Sequence, residues 1–311
     1  MPTIIETSIS LPRNFRLADF LAFHQRDAQM LAEAVTEKQL QKGIVWQAMS
    51  ASLTFNFSNK KQADVRLHID SGRKKLDAEK LNSHVQHHAK HMLGLNQTIN
   101  EFEKYVAVHP ELEQLINKQS GLRVPQAATT FEALTWAIIG QQISVSAAVS
   151  VRRKFIQHAG VQHSSGIWCY PSAAQVALQT EDDLRPLGFS QTKARTIVEL
   201  GKIIERGELP LDNWLSDYWQ GKALPAQDIY NALIRVKGIG PWTVNYALLR
   251  GFGWLDGSLH GDVAVRRNLQ WLLGRSEKMS EAETQVWLEK LSPWRALVAA
   301  HLWAMQKPEG F

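Results

Sequence analysis

LIRVKGIGPWTVNYALLRGFGWLDGSLHGD, residues Leu233 to Asp262, is the stretch on which the fold turns. Its first residues close an apolar-periodic helix through Ile229, Leu233 and Val236, and that pattern breaks at Gly238-Ile239-Gly240. A second helix restarts at Pro241, where proline's missing N–H costs nothing. Two glycines around one aliphatic residue permit a tight turn and a close backbone approach to a bulky ligand. The N–H groups of the turn and of the next helix's first turn are then free to face an anion at the positive end of the helix dipole. For a basic protein that anion is a nucleic-acid phosphate. Taken alone, Gly-Ile-Gly also fits a plain αα-corner. At the far end of the stretch, Asp262 immediately precedes the apolar-periodic VAVRRNLQWLL, which is a helix N-cap position.

The whole chain sets bounds around this stretch. Its 311 residues suggest about two domains, and 44% apolar content is ample for buried cores. The net charge of +5 and pI near 9.2 suit a polyanionic partner. The charge is not segregated: 16 of the 35 basic and 13 of the 30 acidic residues lie in 1–125. A DNA-binding face therefore has to be assembled by folding rather than supplied by a basic tail. The single cysteine, Cys169, excludes an internal disulfide, a four-cysteine zinc site and a four-cysteine iron–sulfur cluster. The start, MPTIIETSISLPRNF, lacks the charged-then-apolar pattern of a signal peptide. No apolar run approaches the ~18 residues of a membrane span, so a cytoplasmic protein with no membrane partner is expected.

Residues 1–95 read as α+β. Thr3–Leu11, Gly43–Gln47, Ser50–Phe57 and Ala63–Ile69 alternate like half-buried strands, Leu17–Phe23 is a short helix, and Asn59-Lys60-Lys61 marks a hairpin. Lys60, Lys61, Arg73, Lys74 and Lys75 are either phosphate contacts or a solvated face. His84/His88 and His87/His91 stand at i,i+4 spacing that can bind zinc, but no neighbouring carboxylate or cysteine completes a site, and a polar helix face is the simpler reading. Beyond residue 95 the chain reads as helical, and ten of the eleven tryptophans lie past residue 130. Phe131–His158 is one helical stretch interrupted by GQQIS at Gly140–Ser144.

VKGIGPWT resembles the helix–hairpin–helix of base-excision DNA glycosylases, and Asp262 stands where that superfamily keeps its catalytic aspartate. The chain is most similar to the alkylation-repair branch, the DNA-3-methyladenine glycosylase II type. The resemblance is carried by GIGPWT, by Tyr246 sixteen residues before Asp262, and by Trp303. It covers residues 96–311 by motif and 1–95 by pattern only. It implies a mostly α fold, with a two-lobed glycosylase domain at 96–311 behind an N-terminal α+β domain at 1–95. One lobe is 126–255 and carries the hairpin; the other combines 96–125 with 256–311.

The implied activity is excision of 3-methyladenine and 7-methylguanine from double-stranded DNA by a monomer that flips the base out and leaves an abasic site. Asp262 would stabilise the oxocarbenium-like sugar and orient or deprotonate water; an N-cap that favours negative charge is compatible with that task, though capping alone also accounts for the residue. In the bifunctional branch the residue two after the second hairpin glycine is a lysine that forms a Schiff base. Here it is Trp242, with no lysine between Lys237 and Asp262, so no lyase activity is expected. Trp242, Tyr246 and Trp303 match the branch's base-pocket aromatics, whose electron-rich faces suit a cationic alkylpurine. Gln142 falls on the wedge position that fills the gap left by the extruded nucleotide; the other reading is a surface glutamine in a helix break. Gly238, Gly240, Lys237 and Thr243 are the expected phosphate contacts, with Arg235 beside them, and Lys193 and Arg195 are scaffold or further contacts. No metal site and no cofactor are expected, apart from a monovalent cation that related hairpins hold through backbone carbonyls. Two other readings stay open: a glycosylase for deaminated or oxidised purines, and a non-catalytic helix–hairpin–helix DNA-binding protein.

Overall fold

The computed structural model describes residues 2–70 and 78–305, so Arg73, Lys74 and Lys75 lie outside the described residues. The alternation in ADVRLHI becomes a strand whose Ala63, Val65, Leu67 and Ile69 are buried, as a half-covered sheet requires. The N-terminal strands are β1 (Thr3–Ser10), β2 (Glu33–Thr36), β3 (Gln39–Trp46), β4 (Met49–Asn56) and β5 (Gln62–Ile69). They pair antiparallel in the order β1-β5-β4-β3, with β2 also on β3. Helices α1 (Leu17–His24) and α2 (Ala78–Met92) cover this sheet, and Phe20, Phe55, Leu67, Val85 and Met92 meet in its core.

Behind the sheet the chain is helical: α3 (Ile99–Val106), α4 (Pro110–Lys118), α5 (Thr130–Gly140), α6 (Val145–Ala159), α7 (Ala173–Ala177), α8 (Glu181–Leu184), α9 (Gln191–Glu205), α10 (Leu211–Trp219) and α11 (Ala226–Ile234). Then come α12 (Pro241–Ala247), a π turn at Leu248–Phe252, α13 (Val263–Leu272), α14 (Glu281–Glu289) and α15 (Arg295–Trp303). The polar break GQQIS separates α5 from α6, and Ser144 caps α6 by accepting from the Ala147 N–H.

The sheet departs from the expected division at one place. Short strands β6 (Val161–Gln162) and β7 (Trp168–Cys169), inside the helical stretch, extend the N-terminal sheet, β7 lying parallel to β3 at Gly43 and Cys169. A Cβ on Gly43 would lie 2.1 Å from the Trp168 carbonyl oxygen, so glycine is what admits the added strand. Two-residue strands carry too little alternation to read from sequence.

Buried apolar side chains form three clusters. One belongs to the sheet; one gathers residues between Phe131 and Phe252 with Ala32; the third joins Ile99–Val124 and Ala137 to Tyr246–Leu302. Trp136 packs against both helical clusters. The sheet is also tied to the helices by buried charge. Lys42 and Arg152 each pair with Glu33 and Glu132, two cations and two carboxylates in one group. Burial alone would raise the Glu33 carboxyl, yet Arg152 and Lys42 hold it well below the usual range.

The histidines of α2 do not converge on a metal-binding group. His84, His87, His88 and His91 instead surround the Trp219 ring at centroid distances of 5.5–6.4 Å, and His91 bonds the Gly251 carbonyl. Among the described residues no helix is long and apolar enough to cross a membrane.

Candidate active site

The hairpin is built from its neighbours inward. Gly238 adopts φ +95°, and a Cβ there would lie 2.1 Å from Thr196 Oγ1, so both conformation and space demand glycine. Thr196 Oγ1 lies 2.8 Å from the Lys237 carbonyl oxygen, and Ile239 is buried in the helical core beneath. Gly240, in extended conformation, is the N-cap of α12, and a Cβ there would meet nothing within 4 Å. The backbone at Gly240 is thus open to a ligand, while Lys237 and Arg235 are exposed beside it.

Thr243 is placed differently from an open phosphate contact. It is buried, and its hydroxyl accepts from Gln141 Nε2 at 2.9 Å, which also donates to the Gly238 carbonyl at 3.1 Å. Thr243 therefore fastens the α5–α6 turn to the hairpin. Lys193 fastens the same turn, its Nζ donating to the carbonyls of Ile139 and Gln141, and Arg195 is paired with Glu181. Burial lowers the Lys193 ammonium. Held this way, Gln142 sits exposed in the left-handed region at φ +57°, a strained conformation for a non-glycine residue, next to the exposed Ile143. On the hairpin itself the Val236 carbonyl accepts from the Ile239 N–H and the Gly238 carbonyl from Gln141, each keeping a second lone pair.

Asp262 caps α13, as its position before the apolar run predicts. Oδ1 accepts from the N–H groups of Ala264 and Val265, both at 2.9 Å. The same oxygen accepts from the Trp303 indole at 3.1 Å, while Oδ2 accepts from the Trp242 indole at 3.0 Å. Two anchors set this geometry. Asn268 on α13 donates to the Leu302 carbonyl at 2.6 Å, and Asn245 on α12 donates to the Ser258 carbonyl at 2.9 Å. Four neutral N–H donors hold the carboxylate, and among the described residues no cation pairs with it. Oδ1 carries three donors and Oδ2 one, so Oδ2 keeps an acceptor site for an incoming group.

Trp242, Tyr246 and Trp303 come together around Asp262. The Tyr246 ring lies 5.2 Å from Trp242 and 6.2 Å from Trp303. Behind Tyr246 is a cavity of about 30 Å³ that Phe23, Arg26, Trp136 and Arg250 also line. That is far below the several hundred Å³ of an ordinary ligand cleft, so a purine enters only if side chains move. Arg26, exposed, stacks over Phe23 at 4.1 Å and Trp136 at 4.6 Å. Arg250 lies 4.5 Å over Phe23 and 5.8 Å over Trp303, donating to the Pro125 carbonyl. Its Nε is buried without a partner, and burial pushes the guanidinium down to about 10.

Sequence reasoning missed Phe23, Arg26, Trp136, Gln141 and Arg250. Only Arg250 had a local signal: it is the lone charge in the apolar run ALLRGFGWL.

The site thus combines a capped carboxylate bonded by two indoles with a glycine hairpin open at its backbone. The HhH-GPD superfamily base excision DNA repair protein pattern matches residues 135–293. The chain belongs to this superfamily. It is 26% identical over 212 residues to a DNA-3-methyladenine glycosylase of Bacillus subtilis, covering 67% of this chain and 68% of that one. DNA-3-methyladenine glycosylase 2 of Escherichia coli is 27% identical over 201 residues, with 63% and 64% covered. In structure the chain is similar to a 3-methyladenine DNA glycosylase from Archaeoglobus fulgidus, with a TM-score of 0.79 at 20% identity, covering 96% of this chain and 97% of that one. That likeness in fold takes in the N-terminal sheet as well as the helices.

Proposed function

We propose that this protein is a monofunctional DNA N-glycosylase that excises alkylated purines, 3-methyladenine and 7-methylguanine, from double-stranded DNA. The observation that carries this reading is Asp262: a partly buried carboxylate fixed by four neutral donors, its charge not cancelled by any cation among the described residues. As the glycosidic bond breaks, its electron pair leaves with the base, which departs from a cationic alkylpurine as a neutral molecule. The sugar gains oxocarbenium character, and a fixed negative charge beside it lowers the barrier. Water then adds to the sugar carbon, and Oδ2, the oxygen with the single donor, accepts its proton.

Trp242 and Trp303 serve twice in this scheme: their N–H groups orient the carboxylate and their rings, with Tyr246, stack on the everted base. With tryptophan at 242 there is no amine to form a Schiff base, so the product is an abasic site in an uncut strand. The exposed turn carrying Gln142 supplies the wedge. Gly240, Gly238 and Lys237 supply phosphate contacts, Thr243 acting through its backbone and through Gln141. We read the protein as a cytoplasmic monomer.

The test is incubation with methylated duplex followed by identification of the released base. Free methylpurine without nicking is expected; tight binding with no release would overturn the reading. Arg250 favours a second one. A half-buried guanidinium without a carboxylate partner disfavours a cationic base and suits the O6 and N7 acceptors of a 6-oxopurine. Faster release of hypoxanthine than of 3-methyladenine from matched duplexes would select it.

A further inference from the structure

His68, on β5, and Asp70, just beyond it, are two residues apart, so their side chains leave the same face of the chain. The turn between β6 and β7 brings His163 against them from 93 positions beyond Asp70 (163 less 70). His163 Nε2 lies 3.3 Å from Asp70 Oδ1, and the imidazoles of His68 and His163 meet edge to face at 4.8 Å. One ligand atom from each of the three residues lies within 4.8 Å of the other two. His163 is 2% exposed, and its Nε2 faces Asp70 Oδ1 without completing a hydrogen bond of good geometry. An imidazole nitrogen buried among polar groups without a bond is costly unless something takes it up.

We propose that His68, Asp70 and His163 bind one divalent transition-metal ion of the zinc class, leaving a fourth position to water. With metal–ligand bonds of about 2.0–2.1 Å, the edge of a tetrahedral site is roughly 3.3 Å, which is the His163–Asp70 separation. His68 has to close by at most about 1.5 Å (4.8 less 3.3) for the same geometry.

The supporting contacts already exist. Asp70 Oδ1 accepts from the Ser164 hydroxyl, and Oδ2 accepts from the Ser50 hydroxyl at 2.6 Å and the Ser164 N–H at 3.0 Å. His163 Nδ1 accepts from the Ser165 N–H at 3.1 Å and lies 2.8 Å from the Ser165 hydroxyl. Metal on Nε2 places the ring proton on Nδ1, where the Ser165 hydroxyl accepts it, and requires the bond from the Ser165 N–H to Nδ1 to open. The ion would pin the hairpin at 161–169 to the N-terminal sheet, and none of the three ligands lines the cavity behind Tyr246.

The experiment uses the full chain stripped with a chelator. Zn²⁺ is titrated calorimetrically, and Co²⁺ is followed by its visible absorption. One equivalent is expected to bind with the intense band of a tetrahedral nitrogen–oxygen site. His68→Gln, at a half-exposed position, and Asp70→Asn are each expected to weaken Zn²⁺ by about 100-fold, whereas His84→Gln with His87→Gln leaves it unchanged. Absence of saturable uptake overturns the proposal. So does uptake that survives His68→Gln, or uptake that is lost with the His84 and His87 changes.

Discussion

Two carboxylate centres in this molecule are held in opposite ways. Glu33 and Glu132 are buried between Lys42 and Arg152, where opposite charges cancel within one group. Asp262 is held as firmly, but by two backbone N–H groups and two indoles. Neutral donors fix position without neutralising charge. The first arrangement joins a sheet to helices; the second leaves a negative charge available to a cation that develops during a reaction.

The largest expected effect tests that distinction at its centre. Asp262→Asn keeps a cap-compatible side chain but removes the charge, and excision of a methylated purine should fall on the order of 10³-fold, about 4 kcal/mol of barrier. Duplex binding should stay within about threefold on the view that Asp262 acts mainly in the transition state. A comparable loss of binding would mean that Asp262 is structural, like Glu33.

Glu33→Gln makes the reverse test. It strands two buried cations with one carboxylate, so denaturant unfolding should report about 3 kcal/mol lost, while excision per folded molecule is unchanged. Next in size is Trp303→Phe, which retains a ring for stacking and deletes one donor to Oδ1. A hydrogen bond to a charged acceptor is worth about 2 kcal/mol, so the rate should fall about 30-fold with little change in KM. A pure KM effect would make the indole a wall of the base pocket and nothing more.

The smallest effect per residue is on acid stability. Burial, first of all, pushes His88 and His301 down to about 3 and His91 down to about 4. The unfolded chain takes up these protons below about pH 6.5, while the folded chain refuses them until its lower values are reached. Stability contributed by the neutral histidines is therefore present above pH 6.5 and lost as pH falls, by about 1.4 kcal/mol per histidine at pH 5.5. Unfolding curves at pH 7 and 5.5 check the sign.

Local pattern carried much of the fold. Apolar periods of 2 and 3.6, the GQQIS break, proline at 241 and the cap at Asp262 all sit within a few residues of the element they specify. The strand pair at 161–169 escaped because two-residue strands have no period to detect.

Asp262, Trp242, Tyr246 and Trp303 were picked out as a set by resemblance, yet nothing local said that the indoles donate to the carboxylate. What the sequence alone determined is the chemistry on offer: a glycine turn, a capping aspartate, aromatic residues near it, and tryptophan where a nucleophilic lysine would stand. Which groups touch was decided only by tertiary packing. Trp303 reaches Asp262 across 41 residues, Arg250 turns into a cavity beside Phe23, and His163 settles against Asp70 and His68. Such contacts depend on how separate helices and strands are stacked, and stacking follows from the shape of whole cores, which no short window of residues encodes.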